Sequence, residues 1–205
     1  MNWIKENRMP AIIIGNTILA ILEIYAVGWS LITNGLGTLQ YYTELSNLFS
    51  GIVSIYVVYQ IHQHGDMSLL AKVLRYMAVC LTTITFLVVI TVLGPIYGYV
   101  RLLFSGTMIW THTLCPLLSS FLFLFVERQP QLEKRHILLS LWPTFGYGIV
   151  AIILNICHLI VGPYPFLMVL EQSILTSILW ALALLAGAYI ISLAYYYWDI
   201  KHQDI

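Results

Sequence analysis

Few residues of this chain carry chemistry, and most of those lie inside long apolar runs. They are Glu23, Thr43, Glu44, Ser46, Asn47, His112, Asn155 and His158, with Glu171 at a helix start. Ionisable and polar side chains inside a bilayer are costly, so each is a functional candidate. Thr43 with His112 suggests acyl transfer. A Thr hydroxyl is a weak nucleophile until a base takes its proton, and neutral His suits that task near pH 7. The same residue types also fit packing, with Thr43 as a helix N-cap and His112 bonded to a neighbouring helix. His112 and His158 together suggest a second chemistry, axial ligation of a haem. A structural zinc wants four ligands, and no such set is present, so no metal is expected. A channel would need a ring of charge or a polar stripe, and none is evident. Glu23 reads as an interhelical hydrogen-bonding group near mid-depth. Arg101, alone among basic residues on its side, can meet a lipid carboxylate or phosphate, or simply stay solvated.

The elements that must position these residues follow from composition. Of 205 residues, 60% are hydrophobic and only 9% charged, against ~25% charged in soluble domains. Nine Lys+Arg balance nine Asp+Glu, leaving no basic surplus for a nucleic acid. The expectation is one all-α domain over 1–205, an integral membrane bundle of six transmembrane helices at about 10–32, 43–61, 75–96, 107–126, 137–161 and 170–198. A span takes ~20 residues. The first run is too long for a signal sequence and carries Glu23. Pro10 falls near the first turn of its helix, and Pro143 and Gly146 mark a kink in the fifth. Cys80, Cys115 and Cys157 read as small packing residues within helices.

Lys and Arg set the orientation. Lys5, Arg8, Lys72, Arg75, Arg128, Lys134, Arg135 and Lys201 fall on one side, and Arg101 on the other. The positive-inside rule then puts both termini in the cytoplasm. His62, His64, His136 and His202 share that side and cannot join His112. Thr43, His112 and His158 each fall within one or two turns of the opposite face, at ~1.5 Å per residue. Residues far apart in sequence therefore share one layer.

Four motifs appear in order: 40–47 (Gln-Tyr-Tyr-Thr-Glu-Leu-Ser-Asn), 111–116 (Thr-His-Thr-Leu-Cys-Pro), 162–167 (Gly-Pro-Tyr-Pro-Phe-Leu) and 196–199 (Tyr-Tyr-Trp-Asp). Together they resemble the androgen-induced-protein and FAR-17a-like family of six-span membrane proteins. The first motif is also similar to that of the bacterial Pr6Pr-type branch. The resemblance implies a transmembrane threonine hydrolase acting on fatty acid esters of hydroxy fatty acids, with Thr43 as nucleophile and His112 as its His. His158 falls near a family His, one residue off in spacing. The animal members carry an acid where this chain has Met168, with Glu171 the nearest acid.

The expected function is a membrane-embedded hydrolase of lipid esters. Thr43 and His112 would be catalytic, and Asn47, His158, Glu23 and Arg101 would support the site or bind substrate. No cofactor is expected, and the partners are a fatty acyl ester and the membrane. The location is multi-pass in a membrane, the plasma membrane if the source is bacterial, with the site near the non-cytoplasmic face. The alternatives are a non-catalytic lipid-binding or sensing protein and a bis-His haem protein.

Overall fold

The computed structural model describes residues 2–127 and 131–201, with side chains from Arg8 onward. The side chain of Lys5, and Arg128 and His202, lie outside the described residues. Among the described residues the fold is all-helical, with no strand. We label α1 Asn2–Asn34, α2 Tyr42–His64, α3 Leu69–Tyr97, α4 Tyr99–Phe104, α5 Ile109–Val126, α6 Lys134–Ile156 and α7 Ile174–Lys201. Five of these, α1, α3, α5, α6 and α7, are long and apolar enough to cross a membrane. α2 is as long, at 23 residues, but is not among the five. Its inward face explains this. Thr43, Glu44, Ser46, Asn47, Ser50, Ser54 and Gln60 are all buried, whereas Leu45, Ile52 and Ile55 are exposed.

That inversion runs through the bundle. Asn16, Glu23, Ser30, Arg75, Thr82 and Glu127 are buried, while Ile14, Ile18, Ile21, Leu117, Ile149 and Leu182 face outward. Lipid takes up apolar surface without penalty but offers polar groups no partner, so polar groups turn inward.

α3 is the central helix. Arg75 is fully buried and pairs with Glu127 after the end of α5, Nε to Oε2 at 2.9 Å. Its other nitrogens donate to Ser119 Oγ and to the Ser119 carbonyl. Asn16 of α1 donates to Glu127 at 2.6 Å. On the opposite side the Tyr76 hydroxyl donates to the Ser192 carbonyl of α7 at 2.7 Å. α1 and α2 run antiparallel, since Ser30 meets Glu44 while Glu23 meets Gly51.

Several boundaries differ from the sequence expectation. α1 starts at Asn2, so Pro10 lies inside the helix rather than in its first turn. α3 starts at Leu69, which puts Arg75 within the bundle instead of at its edge. α6 is two pieces, Lys134–Leu139 and Trp142–Ile156. The break falls at Ser140 and Leu141, where Pro143 has no N–H to give the Leu139 carbonyl and its ring crowds that carbonyl. α6 also stops at Ile156, leaving Cys157 exposed beyond its end. The last helix starts at Ile174 rather than near 170, after a short turn over Pro165–Leu167.

Candidate functional site

The site begins at the start of α2. The residue ahead of this helix is Tyr41, in extended conformation, so Thr43 is the second helical residue and does not take the N-cap role. The first four N–H groups of a helix have no partner within it. Thr43 N–H is one of these, and it donates to the Tyr164 hydroxyl at 3.3 Å. The segment before α2 is pinned by a small polar cluster. Ser30 Oγ donates to Glu44 Oε1 at 2.9 Å and contacts Thr38 Oγ1 at 2.8 Å.

His112 sits on the first part of α5, Ile109–Leu114, which is wound as wide π-type turns. Pro116 gives the local cause. It has no N–H for the His112 carbonyl, and its ring crowds the carbonyl four residues back. π-type bulges inside helices often mark functional positions. α4 packs beside this segment. The Leu102 carbonyl lies 2.8 Å from His112 Nδ1, and Thr113 Oγ1 donates to the Leu103 carbonyl at 2.9 Å.

These contacts fix the imidazole. A carbonyl only accepts, so Nδ1 carries the proton and donates to Leu102. Nε2 then presents its lone pair to Thr43 Oγ1, 3.3 Å away. Thr43 and His112 are both buried. The arrangement is a hydroxyl, a neutral imidazole base and a group orienting the base, the geometry that activates a nucleophile. The orienting group is a backbone carbonyl, where Ser-His-Asp triads use a carboxylate. No acid takes that place: Met168 sits in the turn after Leu167, and Glu171 is exposed.

The other candidates are distributed differently. Asn47 is one turn along α2 and fully buried. Its side-chain N–H groups donate to the Thr43 carbonyl at 2.8 Å and the Thr111 carbonyl at 3.1 Å. It therefore ties α2 to α5 beneath the Thr43–His112 pair. Its Oδ1 has no partner among the described residues. Glu23 is fully buried against Gly51 and its carboxylate oxygens are unpartnered among the described residues. Gly51 is eight residues beyond Thr43, about 12 Å along the helix at ~1.5 Å per residue, so Glu23 stands apart from the pair. His158 is exposed just after α6, with φ of 57°. Arg101 is exposed on α4. Neither His158 nor Arg101 lines the cavity described next.

That cavity lies between α3, α6 and α7 and reaches Thr43. It has about 830 Å3 of empty space, part of it open to the outside. Val88, Val89, Leu93, Ile152 and Leu184 make apolar walls, and the hydroxyl-bearing residues Tyr42, Thr43, Thr144, Tyr147 and Tyr164 are also among the lining residues. Among the described residues no charged side chain lines it.

Tyr164 is the residue at the site that sequence reasoning passed over, although it stands in the 162–167 motif. Its hydroxyl lies 3.4 Å from Thr43 Oγ1. The extended, proline-flanked segment around it was the available signal. Among the described residues no cluster of three or more His, Cys, Asp or Glu has metal-binding proximity. Comparison with protein families, with curated proteins and with solved structures finds no match to the chain.

Proposed function

We propose that this protein is a membrane-embedded lipid ester hydrolase with Thr43 as nucleophile and His112 as general base. One observation carries the reading. Thr43 Oγ1 lies 3.3 Å from the unprotonated nitrogen of a His112 oriented through its other nitrogen, and Thr43 opens onto an apolar, uncharged cavity. The acyl chain occupies that cavity. Thr43 Oγ attacks the ester carbonyl as its proton passes to His112 Nε2. His112 then returns that proton to the departing alcohol, and water repeats the sequence to release the acid.

The reading extends to topology. α2 is the sixth span, its polar face turned inward, and both termini are cytoplasmic. The Thr43 end of the bundle is then at the non-cytoplasmic face. The motif resemblance to the androgen-induced-protein and FAR-17a-like family supports both parts. A fatty acid ester of a hydroxy fatty acid is one substrate of the right chemistry.

The test is covalent labelling of the detergent-purified protein with a lipophilic fluorophosphonate. Wild type should be labelled and Thr43→Ala should not. An unlabelled wild type, or full labelling of Thr43→Ala, overturns the proposal and leaves the same cavity as a lipid-binding pocket.

A further inference from the structure

An acyl transfer needs more than a nucleophile and a base. Negative charge develops on the carbonyl oxygen, and a hydrogen-bond donor must already face the place where it appears. Most donors near Thr43 are committed. Both directions of the Asn47 amide nitrogen are taken by the carbonyls of Thr43 and Thr111. His112 Nδ1–H is held by Leu102, and the Thr43 N–H points to Tyr164. The Tyr147 hydroxyl, also in the cavity lining, donates to the Gln40 carbonyl at 2.7 Å.

Tyr164 is different. Its oxygen accepts from the Thr43 N–H at 3.3 Å, because an N–H can only donate. Its own proton therefore remains to be given, and Thr43 Oγ1 lies 3.4 Å away on the cavity side. We propose that the Tyr164 hydroxyl is the oxyanion donor of the Thr43 reaction, an inference that rests on the hydrolase reading above.

The surroundings hold that hydroxyl in place. Tyr164 has extended backbone, as the proline that follows requires. Its ring stacks on Phe166 at 5.1 Å and 14° and meets Tyr41 edge-on at 6.0 Å. Asn155 clamps the loop from both sides. It donates to the Ile160 carbonyl at 3.1 Å and accepts from Val169 N–H at 3.0 Å. Burial pushes the Tyr164 phenol up to about 12, so it keeps its proton and stays a donor at neutral pH.

The step balances. The Thr43 oxygen forms a bond to the carbonyl carbon, and its proton moves to His112 Nε2. The carbonyl π pair moves onto oxygen, which accepts the Tyr164 O–H. Collapse restores the carbonyl and breaks the bond to the alcohol oxygen, which takes the His112 proton. Tyr164 donates a hydrogen bond throughout and transfers no proton.

Tyr164→Phe tests this, because it keeps the ring stack and removes only the hydroxyl. With p-nitrophenyl dodecanoate, kcat should fall about 10²–10³-fold, the usual effect of losing one oxyanion donor, and KM should change less than about twofold. A dodecyl trifluoromethyl ketone, which Thr43 converts to a tetrahedral oxyanion, should bind more weakly by a similar factor. The matching ether, which forms no oxyanion, should bind as it does to wild type. A merely structural hydroxyl would weaken both analogues alike. The ratio of the two affinities still reports the donor if the variant is less stable, since unfolding removes both. Wild-type kcat in Tyr164→Phe, or equal loss of both analogues, overturns the inference alone. A wild type that neither turns over the ester nor reacts with the fluorophosphonate overturns the hydrolase reading with it.

Discussion

The two halves of the bundle are built on opposite principles. α1, α2, α3 and α5 enclose a polar interior in which Arg75, Glu127, Asn16, Asn47 and Ser119 reach one another or nearby backbone by hydrogen bonds. α6 and α7 enclose little. The second piece of α6 buries only Ala151 and Asn155, and α7 buries Ala188, Ser192, Tyr195, Tyr196 and Asp199, most of them near its C-terminal end. Hydrogen bonds are directional and lock helices in one register, whereas apolar contact in lipid gives little preference between protein and lipid neighbours. The polar half therefore supplies the rigid frame for Thr43 and His112. α6 and α7 supply two walls of the cavity, across from α3.

The contrast breaks first at Arg75. Arg75→Met removes the guanidinium that pairs with buried Glu127 and with Ser119, and should destabilise the protein by about 3–5 kcal/mol, the usual consequence of removing one partner of a buried pair. A denaturation midpoint in detergent checks it, and a near-neutral result would mean the polar interior is not the frame.

A matched pair of leucines sharpens the same contrast. Leu19 on α1 is fully buried, while Leu179 on α7 is 57% exposed. Leu19→Ala should lose about 2–5 kcal/mol. Leu179→Ala should stay within about 0.5 kcal/mol. Equal effects on the midpoint would show that α7 packs as tightly as α1.

A smaller effect than that of Arg75 or Leu19 concerns the wall itself. Gly148 lines the cavity, and a Cβ built there meets nothing within 4 Å. Gly148→Phe should fold normally and occupy part of the space. KM for a dodecanoate ester should rise about tenfold, roughly 1.4 kcal/mol, with little change for an acetate ester. Parallel loss of both esters would place the acyl chain elsewhere.

Particular residues show how much was legible beforehand. The helices were, because apolar runs of spanning length need no partner to be recognised. Thr43 and His112 stood out because polar groups are scarce in such runs, and the structure brings them within hydrogen-bond distance across 69 positions. Arg75 was misplaced because a helix start one or two turns early leaves no mark in composition, and the charge was then counted at the edge. His158 belonged to the same expected layer and Arg101 to the same expected side, yet both are exposed. Depth along a helix follows from counting residues, but which way a side chain faces depends on what packs beside it.

By itself, then, the amino-acid order determined an all-helical chain whose length and apolarity suit a membrane, and it narrowed the chemistry to a few polar residues. Only the tertiary structure decided which of those residues meet. The tautomer of His112 is set by the Leu102 carbonyl, a group every residue carries and no sequence distinguishes. The Tyr164 hydroxyl meets Thr43 because a loop more than a hundred residues away packs against the start of α2. Hydrogen bonds act over about 3 Å, and separations on that scale are settled by the packing of helices.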